Sequence, residues 1–241
     1  LFDENELKRE QGVIIEEIKM VEDSPEELLS EIFIHEIFPD NPLGLSIAGT
    51  PKTVKTFNHQ TTQKFHIENF CPKNLIIAAA GNVEHSQIVE MGEKSFGQRQ
   101  QVESQTSNVP PPKFSSSILL KNKRNLEQTH FLMATPFVEA KSEKRYAANL
   151  LTNILGGGTS SRLWQKIREE NGLAYAVGAS TIPFQDCGFF QIFAATSPEN
   201  FLQTIDLSIA ELKRIKSEKI PETELQLAKD QISASLLLGL E

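Results

Sequence analysis

Two runs, Ala174-Tyr-Ala-Val-Gly-Ala-Ser-Thr-Ile182 and Gly188-Phe-Phe-Gln-Ile-Phe-Ala-Ala-Thr196, stand either side of Pro183-Phe-Gln-Asp-Cys187. Each is short, apolar and rich in β-formers, and together they read as strands of an antiparallel hairpin. Working outward, Pro198 opens a helix to about Ser217 and Pro221 opens a last one. Upstream, Gly156-Gly-Gly158 stops a helix running from Ser142 to Leu155, and a further helix from Thr159 or Ser160 ends near Asn171-Gly172, the glycine suiting a left-handed cap. Strands are expected at Ser116–Lys121 and Gln128–Thr135. Hairpins mixed with helices argue for an α+β fold, with helices packed on a mainly antiparallel sheet.

The first half repeats this alternation. A helix is expected from Glu4 to Val21, and Ser24-Pro-Glu-Glu27 starts another, with Ser24 as N-cap, Pro25 at the first helical position and Glu27 closing a capping box. Pro39-Asp-Asn-Pro42 ends it. Helices follow at Gln60–Asn69 and His85–Phe96, and Asn74-Leu-Ile-Ile-Ala-Ala-Ala-Gly81 between them reads as a buried strand. Residues 98–113 are polar and finish in Val109-Pro-Pro-Pro112, the composition of a linker. The expected domains are therefore residues 1–97 and 114–241.

With 39% hydrophobic and 23% charged residues the chain has a globular composition. No apolar run is long enough to cross a bilayer, so an integral membrane role is not expected. The net charge of -8 disfavours general binding to a phosphate backbone, so no nucleic-acid partner is expected. Cys71 and Cys187 share no metal or redox spacing and read as buried thiols in a reducing compartment. A bacterial cytoplasm is the expected location, with a leader before Leu1 left open. The chain begins at Leu1 without a start methionine and stops at Glu241 inside an amphipathic run, so both ends look cut.

Three features stand out chemically. Leu7, Glu10, Ile14, Glu17, Ile18 and Val21 form one stripe of the first helix. Two carboxylates seven residues apart in an apolar stripe suit a metal ligand and a supporting group, while a solvated helix with ion pairs to Lys8 or Arg9 is the plainer alternative. Arg168, near a helix end, and Tyr175, opening the next strand, can aim a guanidinium and a phenol at one point, as donors to a carbonyl or its oxyanion. The plainer alternative is a dipole-favoured arginine and a half-buried strand tyrosine. Gly156-Gly-Gly-Thr-Ser-Ser-Arg162 lacks the lysine and the preceding strand of a phosphate loop and reads as a turn between helices. His35, His59, His66, His85 and His130 form no local zinc motif and read singly as structural or solvated.

The segment from Glu10 through Ile14-Ile-Glu16-Glu17-Ile to Pro25 resembles the pitrilysin/insulinase/mitochondrial-processing-peptidase family of zinc metallopeptidases, in its bacterial processing-peptidase-like branch. The resemblance continues through Asn41-Pro-Leu-Gly44, Ala48-Gly-Thr50, Asn74-Leu and Ala80-Gly-Asn82-Val83. It resumes at Leu155 to Leu163, Ile167-Arg-Glu169, Gly172-Leu-Ala-Tyr175 and Ala195-Thr-Ser-Pro198-Glu-Asn200, so that nearly the whole chain is covered in order. It implies two related α+β domains, both truncated here, whose paired halves close around an extended peptide. It implies that Glu17 is a zinc ligand, that Glu10 supports it, and that Arg168 and Tyr175 contact substrate. The H-x-x-E-H motif of the family, with two ligands and the general base, is missing. No catalytic residue is therefore assigned in this chain, which is expected by itself to hold no catalytic zinc and to cleave nothing. Zinc in the longer parent, a peptide substrate and a homodimer or paired subunit are what the resemblance implies. The alternative is a non-catalytic peptide-binding or partner subunit.

Overall fold

The computed structural model describes residues 2–98 and 109–239. They form two compact units, one of residues 1–20 and 46–110, the other of residues 21–45 and 111–241. The expected linker at 98–113 falls mostly outside the described residues. Residues 21–45 pack with the later part of the chain, not with the earlier part as the expected domains have it.

The later unit is built on a three-stranded antiparallel sheet in the order β1-β3-β2, with β1 at Thr129–Pro136, β2 at Ala174–Pro183 and β3 at Gly188–Thr196. The central strand pairs Ala194 with both Phe131 and Val177, and Ile192 with both Met133 and Ala179. Side chains alternate across a strand, so these rows line one face. There Phe131, Val177, Ala179, Phe190, Ile192 and Ala194 meet Leu155, Leu163 and Ile167 in the main core. The helices behind that face are α6 (Arg145–Gly156), α7 (Phe201–Ser217) and α8 (Glu222–Leu238). The opposite face receives α2 (Pro25–Ile37), where Ile37, Phe38 and Phe189 form a second cluster packed by Phe33, Phe114 and Phe184. Ser24 caps α2 as its sequence suggests, its hydroxyl accepting from the Glu27 backbone N–H at 3.4 Å.

The earlier unit is helical among the described residues. It contains α1 (Glu4–Asp23) as far as Met20, α3 (Pro51–Val54), α4 (His59–Asn69) and α5 (His85–Phe96). Gln11 Nε2 donates to the Phe57 carbonyl at 2.7 Å, and His59 Nδ1 lies 2.8 Å from the Phe2 carbonyl oxygen. Thr50 with Thr53, and Asn58 with Thr61, form reciprocal capping boxes at the starts of α3 and α4.

Two expected strands do not form. Residues 75–80 carry no strand structure, and Ile76 is 91% exposed. Residues 116–121 are likewise irregular, with Ile118 fully exposed and Leu120 80% exposed. An apolar β-forming run becomes a buried strand only where another chain segment completes its ladder, and no described segment pairs with either run.

Candidate functional site

The sequence between α6 and β2 builds the most developed surface site. Gly156 closes α6 against the sheet so tightly that a Cβ there would stand 2.2 Å from the Ala179 amide nitrogen. The chain then turns, with the Ser161 N–H bonding the Gly158 carbonyl at 3.0 Å, and enters a π-helical turn at Trp164–Glu169. Its widened turn is marked by the Glu170 N–H reaching the Gln165 carbonyl, five residues back, at 2.9 Å. Gly172 takes the left-handed conformation foreseen for it, with φ of +61°. The Leu173 N–H then bonds the Ile167 carbonyl at 2.9 Å. Ala174 and Ala176 face the consecutive residues Thr196 and Ala195, so Tyr175 is the extra residue of a bulge. A bulge re-aims its side chain, and Tyr175 is 75% exposed.

The structure thus brings Arg168 and Tyr175 together. The guanidinium carbon of Arg168 lies 4.4 Å from the Tyr175 ring centre, and Nη1 donates to the Tyr175 carbonyl at 3.0 Å. Trp164 and Glu169, which sequence reasoning did not single out, complete the cluster. The same guanidinium lies 4.0 Å from the Trp164 ring centre. The indole N–H of Trp164 donates to Glu169 Oε1 at 3.0 Å, and that oxygen is 3.9 Å from Arg168 Nε. In an α-helix, residues five apart diverge by about 140° around the axis; the π turn is what lets Glu169 reach Trp164. The spacing of Trp164 and Arg168, four residues apart on one helical surface, was the available signal.

Two residues before Trp164, Arg162 forms a two-pronged bond with Glu224 of α8, Nε to Oε1 and Nη2 to Oε2, both 2.7 Å. That bond, above the opposing effect of burial, pulls the Glu224 carboxyl below its ordinary range and pushes the Arg162 guanidinium up. Between α2 and the sheet lies a cavity of about 180 Å3 whose lining includes Glu26, Ser30, His130 and Gln191. His130 Nδ1 stands 3.9 Å from Glu26 Oε1. Cys71 and Cys187 are both free thiols; Cys71 is buried as expected, whereas Cys187 is only half-buried, and burial pushes its thiol up.

Glu10 and Glu17 lie elsewhere, on α1, and the expected single stripe divides. Ile18 is buried and Leu7, Ile14 and Val21 are half-buried, whereas Glu10 and Glu17 are exposed. The two carboxylates share an outward stripe with Val13 and Met20, themselves exposed. The reason is geometric: residues 10, 13, 17 and 20 repeat at helical spacing, one position off the row that packs inward. A catalytic zinc site takes three protein ligands. No group of three His, Cys, Asp or Glu residues comes together among the described residues, so these residues alone do not fit a zinc ion.

Comparison with known proteins places these features in a family. The peptidase M16 inactive domain matches residues 56–232. An uncharacterized zinc protease of Rickettsia bellii is 39% identical, covering 100% of this chain and 58% of its own. The uncharacterized zinc protease YmxG of Bacillus subtilis is 35% identical with the same coverages. The chain therefore spans a little over half the length of these relatives. Among solved structures, a protease from Helicobacter pylori superposes with a TM-score of 0.85 at 22% identity, over 100% of this chain and 60% of that one. A peptidase M16 inactive domain from Pseudomonas fluorescens gives 0.81 at 22% identity, over 98% and 57%. At such identities the structures show a common fold, a small antiparallel sheet mixed with helices.

Proposed function

The chain belongs to the peptidase M16 family, and from that premise we propose that it is the peptide-contacting part of a zinc endopeptidase acting on extended peptides. One observation carries this reading: Arg168 and Tyr175, 7 residues apart in sequence, meet on an exposed bulge with the guanidinium 4.4 Å from the ring. A peptide carbonyl placed there meets charge-assisted donors in a fixed frame. The guanidinium binds and orients the main chain, and charge developing on that oxygen during hydrolysis would be stabilised by the same donors. The zinc-protease names of the relatives support a metal in the full-length protein.

In this reading Glu17 contributes one ligand, Glu10 supports it, and the remaining ligands come from the part of the protein outside these residues. The outward stripe of Val13, Glu17 and Met20 suits such a role, because its apolar members stand uncovered among the described residues. A metal held by Glu17 and those further ligands would supply Lewis-acid polarisation of a carbonyl and activation of water. Two related α+β domains, a cytoplasmic location and a homodimer or paired subunit complete the proposal.

The test uses the full-length protein, with zinc content and cleavage of an unstructured peptide measured together. Glu17→Gln is expected to lower both. Arg168→Ala is expected to retain zinc and lose cleavage roughly a hundredfold. Undiminished zinc and activity in Glu17→Gln would remove the ligand assignment, and undiminished cleavage in Arg168→Ala would remove the peptide contact. A second reading, a non-catalytic peptide-binding subunit, is favoured by the matching domain's description as inactive. It requires that the full-length sequence lack H-x-x-E-H and that the wild-type protein bind peptide without cutting it.

A further inference from the structure

We propose that Trp164 is a positioning residue for peptide binding, acting through Arg168, and that Glu169 fixes the ring that does so. The inference rests on the peptide-binding reading of Arg168. A guanidinium on a long side chain loses much rotamer freedom when it engages a substrate, and that loss weakens binding unless the side chain is already held. Here it is held from several directions. The Trp164 ring lies 4.0 Å from its carbon, the Tyr175 ring 4.4 Å, and the Tyr175 carbonyl accepts from Nη1 at 3.0 Å. These contacts leave Nη2 without a partner among the described residues, as the donor available to a peptide carbonyl.

The ring is itself fixed. Its N–H is bonded to Glu169, and its apolar edge packs on the main core. The π turn places Trp164, Arg168 and Glu169 on one side of one short segment, and π turns recur where side chains are re-aimed for function. A tryptophan serving packing alone needs no bond to an exposed carboxylate and no guanidinium over its face. The wide aromatic face beside Arg168 also suits apolar side chains of an extended peptide better than acidic ones, which the neighbouring Glu169 repels.

The experiment measures binding to the full-length protein by calorimetry, with a chelator present so that no cleavage intervenes. The probe is an unstructured peptide of about a dozen residues built from Gly, Ser, Leu and Lys. Trp164→Leu is expected to weaken binding roughly three- to tenfold, and Trp164→Phe, which keeps an aromatic face but loses the bond to Glu169, to weaken it by only about twofold. In an Arg168→Ala background the Trp164→Leu change is expected to add nothing, because its effect passes through the lost guanidinium. Trp164 is the single tryptophan of the 241 residues, so the emission difference between wild type and Trp164→Phe reports on this ring. That difference is expected to change on peptide saturation, and not to change in Arg168→Ala. Equal binding by Trp164→Leu and wild type, or a penalty that persists undiminished without Arg168, overturns the inference and leaves the peptide-contact reading standing. Wild-type affinity in Arg168→Ala overturns both. Should Trp164→Leu fail to fold, the emission difference decides, and a signal indifferent to peptide overturns the positioning role.

Discussion

Arg162 is 10% exposed and its partner Glu224 27%, so their paired bonds at 2.7 Å operate largely away from water. The surroundings raise the stakes: Arg162 Nη1, Glu211 Oε2 and Ser161 Oγ are buried without a hydrogen-bond partner among the described residues. Removing the Glu224 charge would leave the guanidinium poorly compensated, and Glu224→Gln is expected to cost about 1.5–3 kcal/mol, read by chemical denaturation. The pH dependence follows from the direction of the shift. The folded Glu224 carboxyl is held below its usual 4.5. Its contribution is present in full above that value and is lost as pH falls through the lowered folded value. Melting temperature should drop on acidification below about pH 4.5, and part of that drop should vanish in Glu224→Gln; an identical acid slope in both proteins would disprove it. Neither partner was legible beforehand, since a pair 62 residues apart leaves no local periodicity. Arg168 and Tyr175 were legible because one turn separates them.

At the scale of elements, the contact between α6 and β2 is one of the tightest of the later unit. A methyl group at residue 156 would strike the Ala179 backbone at 2.2 Å, and a backbone cannot rotate aside as a side chain can. Gly156→Ala is therefore expected to destabilise by about 1–3 kcal/mol. Gly158→Ala, with open space around its Cβ direction, should change the same denaturation midpoint little. Comparable losses at both positions would mean that backbone freedom, not the approach of α6, sets the requirement. The hairpin of β2 and β3 matches the sequence reading closely, because the two apolar runs and the turn at 184–187 between them are both local. The expected helix from Thr159 or Ser160 to Asn171 is present in shorter form, helical over 162–169 and with Trp164–Glu169 as a π turn. Periodicity announces a helix there but carries no sign of an inserted residue in its bonding pattern.

On the scale of the whole chain, two apolar runs distinguish the 241 residues from a finished globule. Ile76 is 91% exposed, Ile118 fully so, and Leu120 80%. Extended apolar segments with unpaired backbone are templates for association between copies. The chain prepared as these 241 residues is expected to self-associate, and Ile118→Lys with Leu120→Lys to reduce that association in light scattering without altering the circular dichroism spectrum. Unchanged scattering would mean that the run is not an adhesive surface. No helix among the described residues is long and apolar enough to cross a membrane.

Several features were determined by the sequence alone: the order of helices and hairpin, the Ser24 cap, the left-handed Gly172 and the family to which the motifs point. Each depends on neighbours within a turn or two, where periodicity and backbone preference act directly. Tertiary structure alone decided that residues 21–45 pack against the later sheet, that Glu10 and Glu17 face outward, and that Trp164 and Glu169 frame Arg168. It also decided that the runs at 75–80 and 116–121 find no strand partner among the described residues. Those outcomes turn on which distant surfaces are present to be covered, and burial is a property of the partner as much as of the residue.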